Sequence, residues 1–124
     1  MATSVERMLE GSSYNQAISL DLGRVTNTRL MFSSNRAFNS PLSLGLSSKW
    51  TSADWMFVDA RAFNQPLDLG DSSRVWQFQG TFANARSFNQ PMTTLNTAGA
   101  TNMHQMFQGS ANLNQPLDFF YING

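Results

Sequence analysis

Tyr14-Asn15-Gln16-Ala17-Ile18, Phe38-Asn39-Ser40-Pro41-Leu42, Phe63-Asn64-Gln65-Pro66-Leu67, Phe88-Asn89-Gln90-Pro91-Met92 and Leu113-Asn114-Gln115-Pro116-Leu117 are five versions of one pentapeptide. They stand at steps of 24, 25, 25 and 25 residues. Self-similarity at a fixed period of about 20 to 50 residues marks an array in which each unit buries its apolar side only against its neighbours. The repeat takes up nearly all of the 124 residues, so the expectation is one domain over 1–124, five repeats long, without evident caps and compatible with a piece of a longer chain.

Working outward from the pentapeptide, a second row of anchors keeps the same phase five or six residues upstream: Met8-Leu9, Met31-Phe32, Met56-Phe57, Thr81-Phe82 and Met106-Phe107. Ahead of these stand Thr3, Thr26, Thr51 and Thr101, with Trp76 as the exception, in the place of a helix N-cap. Glu6 follows Thr3, and Asp54 follows Thr51, at capping-box distance. Counting from the cap, positions two, five, six and nine read Thr28, Met31, Phe32, Asn35 in the second repeat and Ala53, Met56, Phe57, Ala60 in the third. Offsets of three and four predict one buried face of a short helix.

Downstream of the proline, Ile18-Ser19-Leu20, Leu42-Ser43-Leu44, Leu67-Asp68-Leu69, Met92-Thr93-Thr94 and Leu117-Asp118-Phe119 alternate in the manner of a short strand. Successive copies run the same way and so predict a parallel sheet. The expected fold class is therefore an α/β repeat solenoid, a leucine-rich-repeat-like stack of about five coils, each a short helix plus a short parallel strand. Asn15, Asn39, Asn64, Asn89 and Asn114 would form a structural column that satisfies corner backbone groups in a buried turn. Phe38, Phe63 and Phe88 would stack behind it as a spine.

These motifs resemble those of the BspA-like leucine-rich-repeat surface proteins, whose repeat of about 25 residues carries Phe-Asn-Gln-Pro-Leu and Val-Thr-x-Met-x-x-Met-Phe segments. The residues that carry the resemblance are Phe63–Leu67, Val25-Thr26 with Met31-Phe32, and Thr101–Phe107. Where that family has a Trp-Asp pair, this chain has Gly45, Gly70, Leu95 and Phe120 at the Trp position, and only Asp71 keeps the acid. The resemblance implies a leucine-rich-repeat-like solenoid used for adhesion and protein contact, at a cell surface or in an extracellular setting, or else in a large protein assembly, with an organelle or intracellular assembly as the alternative.

Composition narrows the function classes. Hydrophobic residues make up 41% and charged residues 13%, with 8 basic and 8 acidic side chains, so no overall field favours nucleic acid or an anionic bilayer. Cysteine is absent, which excludes disulfides, thiolate metal sites and a cysteine nucleophile. No apolar run is long enough to span a membrane, and the first residues lack the apolar stretch of a secretory signal and already keep the repeat phase. His104 is the only histidine, and no carboxylate pair or metal-ligand spacing appears, so neither an enzyme nor a cofactor is expected.

What remains is surface. Arg36, Arg61 and Arg86 recur at one repeat position and predict a basic stripe that docks an acidic partner or is simply solvated; Arg24, Lys49 and Arg74 form a second row. Ser43, Asp68 and Thr93 are the outward positions of the predicted strands, and Phe119, Phe120 and Tyr121 form an aromatic cluster near the end. A stack without polar caps exposes core and sheet edge at its ends. The functional expectation is thus a non-enzymatic protein-interaction or structural subunit of a larger assembly, holding protein partners at the open ends and peripheral to the complex. The alternative is a glycan- or ice-binding solenoid with a flat polar face that includes Thr26, Thr51 and Thr101.

Overall fold

The segment that follows each Thr is short, and an α-helix of about nine residues would leave nearly half of its N–H and C=O groups unpaired at its two ends. The computed structural model, which describes residues 3–116, shows a different solution. Among the described residues there is no helix. The α/β solenoid with a helix in every coil is overturned by that finding, together with a sheet of only three strands.

In place of the helix, backbone N–H groups alternate between two kinds of partner. Met8, Glu10 and Ser12 donate to the carbonyls of Val5, Arg7 and Leu9, closing overlapping turns, whereas Val5, Arg7, Leu9 and Gly11 donate to Asn27, Arg29, Met31 and Ser33 of the next repeat. The pattern recurs from Thr28–Ser34 to Ser52–Val58, from Ala53–Asp59 to Gln77–Ala83, and from Phe78–Asn84 to Asn102–Gln108. Two residues per repeat adopt positive φ to allow it: Arg7 and Gly11, Leu30 and Ser34, Trp55 and Asp59, Gly80 and Asn84, Gln105 and Gly109. A left-handed non-glycine residue costs about 1–2 kcal/mol. Four inter-repeat hydrogen bonds per junction, each worth about 1 kcal/mol net, offset that cost and tie neighbours together as an isolated helix cannot.

The strands form the opposite wall. They are β1 (Ile18–Ser19), β2 (Leu42–Leu46) and β3 (Asp68–Gly70), all parallel in the order β1-β2-β3. Ile18 pairs with Leu42, Ser43 with both Ser19 and Asp68, and Leu46 with Gly70, so β2 carries one more residue than β3 between its pairings. Gly45, with φ of 58°, sits in that bulge. The predicted strand at Met92-Thr93-Thr94 does not form: Leu95 N–H closes a turn on Met92 O, and the Thr94 hydroxyl donates to Leu67 O. The predicted strand at Leu117 lies outside the described residues. A second line of contact runs through all five repeats as parallel bridges, Ser4 to Asn27 to Ser52 to Gln77 to Asn102.

Between these walls the phenylalanines stack in two columns. Phe32, Phe57, Phe82 and Phe107 follow one another at 5.1, 5.4 and 5.8 Å, and Phe38, Phe63 and Phe88 at 5.9 and 5.7 Å. Rungs of 4.9, 4.4 and 4.5 Å join the columns within the second, third and fourth repeats. Positions two, five, six and nine are buried in the second, third and fourth repeats, so spacing of three and four located the core face even though its backbone is a chain of turns. Trp50 is buried where the flanking repeats have Val25 and Val75, and its indole N–H donates to Thr28 Oγ1 and Ser52 O at 3.0 Å each. No buried side-chain nitrogen or oxygen among the described residues lacks a hydrogen-bond partner.

Candidate functional site: the corner, the basic row and the first-repeat face

The corner asparagines form a ladder. The N–H groups of Asn39, Asn64, Asn89 and Asn114 donate at 2.8–2.9 Å to Oδ1 of Asn15, Asn39, Asn64 and Asn89 respectively. The amides of Gln65, Gln90 and Gln115 add a second donor to the same oxygens at 3.0 Å, and Ser40 Oγ takes that role on Asn15 at 2.7 Å. The ladder lies at the surface: Asn15, Asn39 and Asn114 are exposed and Asn64 and Asn89 half-buried, which corrects the expected buried turn. Proline follows because it removes an N–H for which this corner has no acceptor.

Arg36, Arg61 and Arg86 share a face, but Asp59 breaks the stripe. Arg36 Nη2 lies 2.9 Å from Asp59 Oδ2, and Arg61 Nε 2.8 Å from Oδ1. Burial alone would raise the Asp59 carboxyl; the hydrogen bonds and charges of Arg61 and Arg36 outweigh it and hold the group below its ordinary value. Arg86 has Asn84 at the position equivalent to Asp59 and no acidic partner among the described residues. Asp54 behaves oppositely. Burial pushes its carboxyl up against the pull of the Gln79 N–H, which donates to Oδ1 at 2.8 Å, and of the Arg29 charge.

Ser43 and Asp68 are paired across β2 and β3, whereas Thr93 lies beyond the sheet. Thr93, Asp68, Pro66 and Pro91 help line an open groove of about 550 Å³ between β3 and the turn after Pro91. The hydroxyls of Thr26, Thr51 and Thr101 do not cap helices; they donate to Thr3 O, Thr26 O and Trp76 O of the preceding repeat. His104 is exposed, and the described residues contain no cluster of three or more His, Cys, Asp or Glu that could hold a metal ion. No helix among them is long and apolar enough to cross a membrane. Phe119, Phe120 and Tyr121 lie outside the described residues.

Those repeats have a counterpart among known families. The family model described as "Mycoplasma protein of unknown function, DUF285" matches residues 3–120. The chain belongs to the DUF285 family. No curated protein and no solved structure matches it.

One surface of this DUF285 chain was not visible residue by residue in the sequence. Met31, Phe38 and Leu44 are 0% exposed inside the stack, yet their first-repeat equivalents Met8, Tyr14 and Leu20 are 49%, 39% and 38% exposed. With Leu9, Ala17 and Ile18 they line a shallow hollow of about 280 Å³. The side-chain types are those of the core in all repeats, so only their place in the stack makes these three a surface.

Proposed function

We propose that this chain is a non-enzymatic structural or recognition subunit whose first-repeat face takes a protein partner within a larger assembly. The supporting observation is the exposed apolar trio Met8, Tyr14 and Leu20, formed from positions that are wholly buried one repeat later. Apolar area of this kind stabilises association by about 25 cal/mol per Å² removed from water, and aromatic and Met side chains are enriched in the centres of interfaces. The resemblance of the Phe-Asn-Gln-Pro-Leu repeats to BspA-like proteins supports a cell-surface, adhesive setting for that assembly. Arg86, the cation of its row without an acidic partner among the described residues, belongs to the same proposal as a secondary contact, with Arg36, Arg61, Ser43, Asp68 and Thr93 beside it. The glycan- or ice-binding alternative is disfavoured because Thr26, Thr51 and Thr101 spend their hydroxyl protons on neighbouring carbonyls and Trp76 interrupts their row.

A photo-crosslinking amino acid placed at Leu20 tests the reading in the producing cell. Crosslinks to protein, a second copy of this chain included, are expected from Leu20 and not from the exposed control position Lys49. Labelling of lipid or glycan only, or none at Leu20, would sink it.

A further inference from the structure

The two ends of the stack differ in hydrogen-bond polarity, and the difference selects a partner. Across every junction, the turn wall donates from one repeat to the carbonyls of the next, as Val5, Arg7, Leu9 and Gly11 do to Asn27, Arg29, Met31 and Ser33. The corresponding carbonyls of the first repeat, those of Ser4, Glu6, Met8 and Glu10, receive no hydrogen bond from the described residues. At the far end, the N–H groups of Met103, Gln105 and Gly109 continue the donor row of Phe78, Gly80 and Asn84 and have no acceptor among the described residues. The corner runs the other way: Asn114 Oδ1 accepts nothing among the described residues, while Asn15-Gln16 repeats the N–H and amide pair that docks on each inner asparagine.

We infer that the first-repeat face receives the fifth repeat of a second copy of this chain, so that copies stack head to tail and continue the internal register. The inference rests on the proposed partner-binding face and names its occupant. Placing Met103, Gln105 and Gly109 of one copy over Ser4, Glu6 and Glu10 of the next sets donors against acceptors. The same placement brings Asn15 N–H and the Gln16 amide to Asn114 and covers Met8, Tyr14 and Leu20. Two first-repeat faces set together would oppose carbonyl to carbonyl along the turn wall, whereas the head-to-tail placement sets donors against acceptors there. Contacts between unlike faces that do not close produce open chains, and exposed parallel edges template such addition.

Sedimentation of the full chain tests this. The wild type is expected to show an average mass that rises with concentration and reaches no fixed oligomer. M8E/Q16E, which places carboxylates on the acceptor face at two exposed side chains, is expected to lose the concentration dependence while keeping its circular dichroism; Q16E alone serves if the double variant unfolds. Added to wild type, the variant should still join through its donor end and shorten the chains. A wild type that stays at the mass of one chain throughout overturns the inference, as does a closed dimer from which the variant is wholly excluded. In either case a crosslink from Leu20 to a different protein would leave the proposed function standing, and absence of any protein crosslink would remove both.

Discussion

At the scale of the residue, conformational strain and charge explain choices that the repeat consensus does not. Ser34 holds φ at 55° on the surface, and its N–H bonds to Val58 O whatever its side chain. Ser34→Gly is therefore expected to stabilise by about 0.5–1 kcal/mol, the relief of left-handed strain less the added chain entropy, read from the denaturant midpoint. Gly80 is the opposite case. Its φ is 60° and an added Cβ would meet the Trp55 ring, so Gly80→Ala should cost more than 1–2 kcal/mol on about the scale of overpacking.

The two acids differ in sign. Asp59 is held below its ordinary value by Arg61 and Arg36, so it contributes stability above the unfolded value near 3.8 that is lost as pH falls through the folded one. Asp59→Asn should cost about 0.5–1 kcal/mol at neutral pH, discounted for the exposure of both arginines, and nothing in strong acid. Asp54 is raised by burial and gains stability on protonation. Asp54→Asn should therefore stabilise at neutral pH, with an advantage that fades as pH falls toward 3.8. Melts of the two variants across pH check both signs.

At the scale of the element, the corner ladder and the phenylalanine columns hold the repeats in register by different means. Asn64→Ala strands the Asn89 N–H, leaves the Gln90 amide only the Asn64 carbonyl, and is expected to cost about 1–2 kcal/mol. Asn114→Ala removes an oxygen that accepts nothing among the described residues and should be close to neutral in the single chain. Phe57, fully buried and stacked on Phe32, Phe63 and Phe82, should cost about 3–5 kcal/mol as Phe57→Ala. Chemical denaturation of the three variants side by side checks the order. The sheet, by contrast, stops after β3 because Met92–Leu95 closes a turn in place of a fourth strand. Far-UV circular dichroism should accordingly lack the helical double minimum; a strong helical signal would contradict the turn ladder.

At the scale of the whole molecule, stability is a sum over junctions, since each repeat touches only its neighbours. Excising 51–75, one full period, should leave a shorter stack that still unfolds cooperatively at a lower midpoint, because Thr26 then meets Trp76 in the same register that Thr51 now has. Excising half a period should abolish folding, since donor rows would face donor rows. Calorimetry of the two deletions distinguishes them.

The pentapeptide and its anchors determined, from sequence alone, the period, the buried positions and the phenylalanine spine, because equivalent side chains must meet whenever identical units stack. The backbone between the anchors was not determined there. Spacing of three and four serves a run of turns as well as a helix, and the left-handed residues that decide between them include Arg7, Leu30, Trp55 and Gln105, whose side chains carry no such preference. Gly11, Asp59, Gly80, Asn84 and Gly109 at the same two repeat positions were the legible hint. Tertiary structure chose the turns because a short helix satisfies its own groups poorly and its neighbour not at all, while the turn ladder serves both. It also decided which core residues become surface, because Met8, Tyr14 and Leu20 differ from Met31, Phe38 and Leu44 less in chemistry than in having no repeat above them among the described residues.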